Sequence, residues 1–441
     1  MFPRSLFRVS RQGAQWAALV AVFVSVSLTV AAPGAPAVAT RTAAQPASTQ
    51  TDPAASAVAD PNATADTGPS LPNRLPSPSA VPTPIATATA SAVASQLPRR
   101  ASVSVPKPTK PSGCCATGGS VNASAGLFED LQYLTGAALS SRLDQYAAAG
   151  AKVARFQVIW GNVQSSGPSS YDWQYIDAVI AGLNARGIQA LPVLDTTPAW
   201  ARPSGCSQLV CAPANPSQYA TFAGAAAARY APQGVHSWEI WNEPNNPIFW
   251  QPAPNTALYT AVLKAAYTAI HAADPSATVV TGGLAPAATG GGWIAPVQFL
   301  SEIYSNGGKG SFDAVGWHPY DYPDVPSSTS NNAWNQMSGT STSARSLMVA
   351  NGDGGKRIWA TEFGTPTCTG DSTCVSEAQQ ATIITEAFAL WRSYSWAGPL
   401  VVYTFADTGQ DESNREDYFG LVRYDGSQKP GYTAFHVAAL A

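Results

Sequence analysis

The chain has few charged residues: Asp, Glu, Lys and Arg make up 12% of its 441 residues, about half the share of an average soluble protein. Residues 1–112 hold nine Lys or Arg and three Asp, for a net charge of +6, whereas residues 113–441 hold 15 Lys or Arg and 24 Asp or Glu, for −9. Because nucleic-acid phosphates require clustered basic side chains, the acidic larger part argues against a nucleic-acid partner.

Aromatic residues are absent between Phe23 and Phe128. Within this stretch, residues 40–112 are mostly Ala, Pro, Ser and Thr, which cannot bury enough apolar surface to offset the entropy of ordering the chain. We predict a disordered, partly polyproline linker over 40–112. Two interpretations stay open: a dispensable low-complexity spacer, or a stalk that crosses a cell envelope.

The N-terminus has the pattern of an export signal. Arg4, Arg8 and Arg11 precede an apolar run at 16–32, and Ala-Val-Ala at 37–39 provides a small-residue cleavage site. Residues 1–39 are therefore either a cleaved signal peptide or a retained N-terminal anchor, since the run is close to the shortest membrane span. We expect a secreted or cell-envelope protein, which in the second case associates with a membrane through this segment.

Cysteine is scarce, and its six residues form three close sets. Cys206 with Cys211, and Cys368 with Cys374, are spaced for small loop-closing disulfides in an oxidising compartment. The adjacent Cys114 and Cys115 could form a strained ring or stay free. No His is placed to complete a zinc site with these residues, so no metal is expected.

Strand and helix patterns alternate along residues 113–441. Apolar stretches that end in polar residues, Gly or Pro occur at 153–160, 188–195, 235–242, 277–282, 312–318, 357–361 and 400–406, with a first strand near 120–127. Helical patterns lie between them at 137–149, 171–186, 216–230, 256–273 and 376–393. Eight strands with crossover helices predict an α/β fold, a single (β/α)8 TIM barrel over 113–441, because no Gly-rich phosphate loop follows the first strand as in nucleotide-binding sheets.

Two strand ends carry a carboxylate beside aromatic residues. The fourth strand ends in Trp-Asn-Glu-Pro-Asn at 241–245, and the seventh in Thr-Glu-Phe-Gly at 361–364. Because the carboxyl ends of the strands meet at one mouth, Glu243 and Glu362 are expected to face each other. Hydrolysis of a glycosidic bond requires such a pair, one protonated to assist the leaving oxygen and one ionised to attack the sugar.

These two motifs resemble the catalytic signatures of the clan A retaining glycoside hydrolases, and the chain is most similar to families 39 and 5. The resemblance covers nearly all of 113–441. It implies that Glu243 is the acid/base and Glu362 the nucleophile.

The resemblance extends to other strand ends. It implies that Asn242 binds the sugar 2-hydroxyl, that Arg155 keeps the nucleophile ionised, and that His318 and Tyr320 act in the pocket, with the Tyr320 hydroxyl on the nucleophile. Arg155 could instead form a structural ion pair, and His318 could be an ordinary hydrogen-bonded residue of the pocket wall. Glu239 is expected deeper in the barrel in a structural role.

Substrate contacts are expected from aromatic and polar residues of the mouth. Trp160 ends the second strand, Asp195, Trp200 and Arg202 follow the third, and Trp250 follows the Asn-Glu-Pro loop. Trp160, Trp200 and Trp250 are predicted to stack on sugar rings, although each could equally be a core residue. Many clan members place a Trp on strand eight; here the sequence offers Tyr403 or Phe405 as the platform.

The sequence as a whole therefore predicts an exported, monomeric retaining glycosidase. The expected substrate is a neutral, β-linked glycan of a polysaccharide or glycoconjugate, because an acidic mouth would repel polyanions. Neither an organic cofactor nor a metal is required. The alternative is a catalytically inactive glycan-binding or cell-envelope protein on the same barrel. A serine esterase is disfavoured because the chain has no Gly-x-Ser-x-Gly motif.

Overall fold

The computed structural model describes residues 123–328 and 332–441. The predicted signal or anchor segment at 1–39, the linker at 40–112, and Cys114 and Cys115 all lie outside the described residues. Within the described ranges, no helix is both long and apolar enough to cross a membrane.

Eight parallel strands form a closed barrel in the order of the sequence, as predicted. Each strand pairs with the next along the chain, and the eighth pairs with the first. The strands are β1 (Ala125–Phe128), β2 (Val153–Ile159), β3 (Gln189–Asp195), β4 (Ser237–Ile240), β5 (Thr278–Thr281), β6 (Ala314–Trp317), β7 (Arg357–Phe363) and β8 (Ala397–Tyr403). The fold is a (β/α)8 TIM barrel.

Helices connect successive strands. In chain order they are α1 (Gly136–Ala149), α2 (Trp160–Val163), α3 (Gln174–Asn184), α4 (Pro216–Tyr230), α5 (Thr256–Ala273), α6 (Pro296–Ser305), α7 (Ala333–Ser338), α8 (Ala344–Ala350), α9 (Glu377–Ser393) and α10 (Pro430–Leu440). Helix starts follow the local chemistry. Asn215 accepts a hydrogen bond from Ser217 N before the Pro that opens α4, and Asn255 accepts one from Leu258 N at α5.

The observed strand ends differ from the predicted ones where the backbone leaves extended geometry. β4 stops at Ile240, because Trp241 adopts a left-handed φ of 72° that ends the alternation of side chains. β8 covers 397–403 rather than 400–406, so Phe405 lies beyond the end of the strand. Apolar content locates a strand, but its ends depend on pairing with neighbouring strands.

The barrel interior is filled by apolar side chains at its amino-terminal end. Val153, Leu191, Val280, Ala314 and Trp359 form one buried cluster there. A second, larger core lies between the barrel and its helices. The polar residues of the site therefore rest on a packed apolar layer, which excludes water from below.

Two disulfides close loops at the carboxyl ends of strands. Cys206 is bonded to Cys211 in the loop after β3, and Cys368 to Cys374 in the loop after β7. Both pairings are those the spacing predicts.

Gly398 on β8 makes room for Trp359, since a Cβ at this position would lie 2.2 Å from Trp359 Cδ1. We expect Gly398→Ala to lower the free energy of unfolding by about 1–3 kcal/mol through overpacking, measured by chemical denaturation. Gly355→Ala is the matched control, because a Cβ at Gly355 meets no atom within 4 Å. Equal stability of the two variants would contradict this account of the barrel interior.

Candidate active site

Glu243 and Glu362 meet at the carboxyl end of the barrel. Glu362 lies on β7 and Glu243 three residues beyond the end of β4, and each is 8% exposed. One carboxylate oxygen of each, together with Nδ1 of His318, lies within 4.8 Å of the other two atoms. The two predicted carboxylates thus face each other, as the sequence pattern indicated.

The backbone at Glu243 is strained. Its φ of 43° lies in the left-handed region, two residues after Trp241 enters the same region. Such a conformation costs a non-glycine residue about 1–2 kcal/mol. Hydrogen bonds from Glu243 N to Gly283 O (3.1 Å) and from Asn246 N to Glu243 O (3.0 Å) hold the turn, which aims the carboxylate across the mouth.

Glu362 is held as an anion by positively charged and hydrogen-bonding neighbours. Arg155 Nη1 donates to its Oε1 at 2.6 Å, and the Tyr320 hydroxyl donates to its Oε2 at 2.8 Å. Burial alone would raise the pKa of Glu362, but the charges of His318 and Arg155 and these hydrogen bonds hold it below its usual value. Burial and the charge of Glu362 raise the pKa of Tyr320, which keeps the phenol a donor.

Arg155, the third residue of β2, joins three strands through one buried guanidinium. Besides Glu362 on β7, its Nε donates to Glu239 Oε2 (2.6 Å) on β4, and its Nη2 to Asn242 Oδ1 (2.9 Å). Glu239 also accepts hydrogen bonds from Thr361 Oγ1 (2.9 Å) and Gly283 N (2.8 Å). Glu239 therefore lies deep in the barrel in a supporting position.

Two polar side chains hold the Glu243 carboxylate. Asn246 Nδ2 donates to Oε2 at 2.7 Å, and His318 Nδ1 lies 2.9 Å from Oε1. His318 is completely buried and packs against Gly283, where a Cβ would lie only 2.0 Å from its Nε2. Glycine is therefore required at 283 for the ring to reach Glu243.

The same three groups could in principle ligate a cation. Glu243, His318 and Glu362 each offer one ligand atom to a common point. The Arg155 guanidinium, however, already places a positive charge 2.6 Å from Glu362 Oε1. This charge repels a second cation, so the arrangement fits acid–base chemistry better than metal binding.

Of the two predicted platform residues on strand eight, only Tyr403 faces the site. It ends β8, pairs with Phe128 in register, and stacks on that ring with centroids 5.3 Å apart. The Tyr403 and Tyr320 rings also pack edge to face, with their centroids 6.3 Å apart. Phe405 is buried outside the barrel against Tyr146 of α1, so the expectation for Phe405 was wrong.

The structure also corrects two of the predicted stacking residues. Trp160 and Trp250 are completely buried, Trp160 against Phe222 of α4 and Trp250 against Trp241. Neither can meet a sugar, because both lie in the layer between barrel and helices. Trp200 is partly buried, with its Nε1 donating to Gln164 O at 2.7 Å, and its stacking role stays a prediction.

Sequence reasoning missed two residues of the site. Asn246, in the turn after Glu243, could have been recognised as a side chain returning to the carboxylate. Glu416, in the loop after β8, carried no such signal. Burial raises the pKa of Glu416 to about 7, with Arg415 opposing this effect and the charges of Glu362 and Glu243 adding to it.

The barrel that carries this site matches a known family model. Residues 123–398, more than half of the chain, match the family model described as cellulase (glycosyl hydrolase family 5). The chain belongs to glycosyl hydrolase family 5. The predicted resemblance to families 39 and 5 is thereby confirmed, and the choice left open between the two is decided.

Solved structures share the fold of this family 5 hydrolase. A family 39 glycoside hydrolase from Bacteroides cellulosilyticus WH2 matches with a TM-score of 0.56 and 23% identity, covering 72% of this chain and 64% of the other. The GH39 enzyme from Xanthomonas axonopodis pv. citri matches with a TM-score of 0.52 and 20% identity, covering 72% of this chain and 65% of the other. GH5_18 from Streptomyces cattleya, solved in complex with GlcNAc, matches with a TM-score of 0.52 and 17% identity, covering 72% of this chain and 80% of the other.

The family 5 hydrolase spans slightly less than two thirds of the length of the first two structures. At these identities the similarity concerns the fold alone. Comparison with curated proteins finds no match.

Removing the Tyr320 hydroxyl should raise the pKa of Glu362, because one hydrogen bond that stabilises its ionised form is lost. For Tyr320→Phe we expect the acidic limb of the kcat/KM profile to move up by about one pH unit. Tyr322→Phe is the matched control, since Tyr322 packs edge-on against Tyr320 without bonding Glu362. An unmoved limb, or equal movement in both variants, would contradict this arrangement.

Proposed function

We propose that this family 5 hydrolase is an exported enzyme that cleaves β-linked, neutral glycans by double displacement, with Glu362 as nucleophile and Glu243 as acid/base. Arg155 and Tyr320 orient the nucleophile, His318 and Asn246 orient the acid/base, and Asn242 binds substrate.

The short separation of the two carboxylates carries this proposal. Retaining enzymes hold their carboxyl groups about 5–5.5 Å apart, whereas inverting enzymes separate them by about 6.5–9.5 Å to admit a water molecule. One oxygen of Glu243 lies within 4.8 Å of one oxygen of Glu362, a short separation that agrees better with the retaining arrangement. Direct attack by a carboxylate is the reaction that this spacing supports.

The different surroundings of the two carboxylates support the division of roles. Arg155 and Tyr320 together donate to both oxygens of Glu362, and its lowered pKa keeps it ionised and ready to attack. Glu243 has no guanidinium within hydrogen-bond distance among the described residues. His318 Nδ1 and Asn246 Nδ2 instead fix the direction of its carboxyl group.

In the first step a Glu362 oxygen bonds to the anomeric carbon while the glycosidic C–O bond breaks. The leaving oxygen takes the proton of Glu243. In the second step Glu243, now a carboxylate, removes a proton from water, and the water oxygen displaces Glu362 from the anomeric carbon. One water is consumed, and both carboxylates return to their starting protonation states.

Asn242 is oriented to contact the sugar. Arginine can only donate, so the Asn242 oxygen must face Arg155 Nη2, which leaves Nδ2 free of hydrogen bonds to the described residues. A donor at this position can bind the 2-hydroxyl oxygen of the sugar attached to Glu362. Such a contact strengthens in the transition state.

The substrate class and the location follow from charge and from cysteine chemistry. The net charge of −9 over 113–441 and the additional carboxyl groups at the mouth disfavour polyanions, and the cellulase description of the family favours β-linked glycans. Two disulfides, together with the signal-like residues 1–39, support export to an oxidising compartment.

Glu362→Ala tests the nucleophile. We expect kcat on an activated aryl glycoside to fall by at least about 10⁴-fold, with azide restoring turnover as a glycosyl azide of inverted configuration, because azide fills the space of the lost carboxylate. Rates come from release of the aryl leaving group, and azide products from NMR.

Glu243→Ala should give the retained glycosyl azide, since azide then replaces the activated water, and should impair substrates with poor leaving groups most. Asp144→Ala, on an exposed carboxylate of α1, is the matched control and should keep full activity. If Glu362→Ala kept near wild-type turnover, the assignment would be wrong.

The stereochemistry tests the mechanism independently. Proton NMR of the first-formed sugar should show the anomeric configuration of the substrate before mutarotation. An inverted first product would overturn double displacement. Substrate binding without any release of sugar would instead identify a glycan-binding protein.

A further inference from the structure

Asp195 is buried without a partner at the mouth of the barrel. It is the last residue of β3 and is 5% exposed. No described residue donates a hydrogen bond to either carboxyl oxygen, and Oδ1 is completely enclosed. Leaving a buried polar group unpaired is unfavourable, so such a group in a folded protein calls for an explanation.

Strand register shows where this carboxyl points. Val193 pairs with Glu239, which lies inside the barrel in contact with Arg155. Residues two apart on a strand point to the same side, so Asp195 also faces the barrel axis, one layer nearer the mouth than Val193. This is the layer in which the substrate meets Glu243 and Glu362.

A second buried oxygen without a partner among the described residues lies just beyond β1, on the other side of β2 from β3. Gln132 is buried, its Nε2 donates to Asp130 Oδ1 at 3.1 Å, and its Oε1 is enclosed without a partner. Strands β1 and β3 lie on either side of β2. Burial is the main cause of the raised pKa of Asp195, and the negative charge of Asp130 raises it further. We call Asp130, Gln132 and Asp195 the acceptor wall.

The acceptor wall contrasts with the opposite side of the site. Around Glu362 and Glu243 the protein supplies donors from Arg155, Tyr320 and Asn246. On the acceptor wall the unpaired atoms are oxygens, which require donors from a ligand. Sugar hydroxyls are such donors, and they can also accept from a carboxyl that is protonated.

We propose that Asp195, supported by Gln132 and Asp130, binds hydroxyl groups of the sugar that becomes attached to Glu362, and that this contact determines which sugar is accepted. The inference rests on the proposed function. β2 lies between β1 and β3 and carries Arg155, which bonds Glu362, so the acceptor wall adjoins the side of the site that holds the nucleophile.

Discrimination follows because a substrate that lacks the contacted hydroxyl leaves the buried carboxyl unpaired. Sites that hydrogen-bond a substrate hydroxyl reject the deoxy analogue by factors up to about 10⁴–10⁵. The wild-type enzyme should therefore hydrolyse one monodeoxy analogue at least about 100-fold less efficiently than its parent.

The experiment measures kcat/KM for the 4-nitrophenyl β-glycoside that the wild type hydrolyses fastest and for its monodeoxy analogues. Asp195→Ala should lower kcat/KM for the parent by about 100-fold but leave the critical deoxy analogue within about threefold, so that the discrimination disappears. Asp195→Asn, which keeps the shape, should lose most of the discrimination. The control is Asp144→Asn, because the Asp144 side chain is 69% exposed; this variant should keep the full discrimination between parent and deoxy substrates.

The outcomes separate this contact from the chemistry. Equal losses on parent and deoxy substrates in Asp195→Ala and Asp195→Asn would show that Asp195 does not contact the discriminated hydroxyl, and would overturn the proposal. A wild type that tolerates every monodeoxy analogue would also overturn it. Trapping of Glu362 by an activated 2-deoxy-2-fluoro glycoside, detected by mass spectrometry, tests the nucleophile separately; no turnover and no trapping would overturn the proposed function and this contact together.

Discussion

The buried guanidinium of Arg155 is the constraint on which the site depends. It bonds Glu239 and Glu362, donates to Asn242, and lies over the Phe128 ring at 5.1 Å. Removing one partner of a buried ion pair leaves an uncompensated charge, at a cost of about 3–5 kcal/mol. Strands β2, β4 and β7 are therefore tied together, and the nucleophile carboxylate is oriented before substrate arrives.

The rest of the site is arranged around that network. The strained turn at Glu243 is stabilised by hydrogen bonds and aims the second carboxylate at the first, while Gly283 lets His318 pack beneath it. Donors thus surround the reacting carboxylates, whereas unpaired acceptor oxygens line the side near β1 and β3. In the proposed complex a sugar between the two sides meets the two oriented carboxylates on its reacting face and the unpaired oxygens on its hydroxyl face.

Much of this arrangement could be predicted from residue order, because catalytic groups in a parallel barrel lie where strands end. Glu243, Glu362, His318 and Tyr320 occur at such ends, whereas Arg155 is the third residue of β2 and reaches them from deeper in the barrel. Trp160 and Trp250 follow strands too, yet the chain turns them towards the helices, which hydrophobicity alone could not indicate. The prediction for Phe405 was wrong for a similar reason. β8 ends at Tyr403, so the alternation of side chains between the two faces of the strand does not extend to Phe405.

The sequence by itself determined the eight-stranded barrel, the carboxylate pair, the disulfide partners and the chemistry that two Glu at strand ends can perform. These features depend on periodicity and spacing, which are local properties of the chain. Only the tertiary structure decided that Glu239 supports Arg155, that Asn246 and Glu416 belong to the site, and that Asp195 has no hydrogen-bond partner among the described residues. Those facts depend on which distant side chains share a buried volume, because desolvation and hydrogen-bond geometry are set by packing between elements rather than by order along the chain.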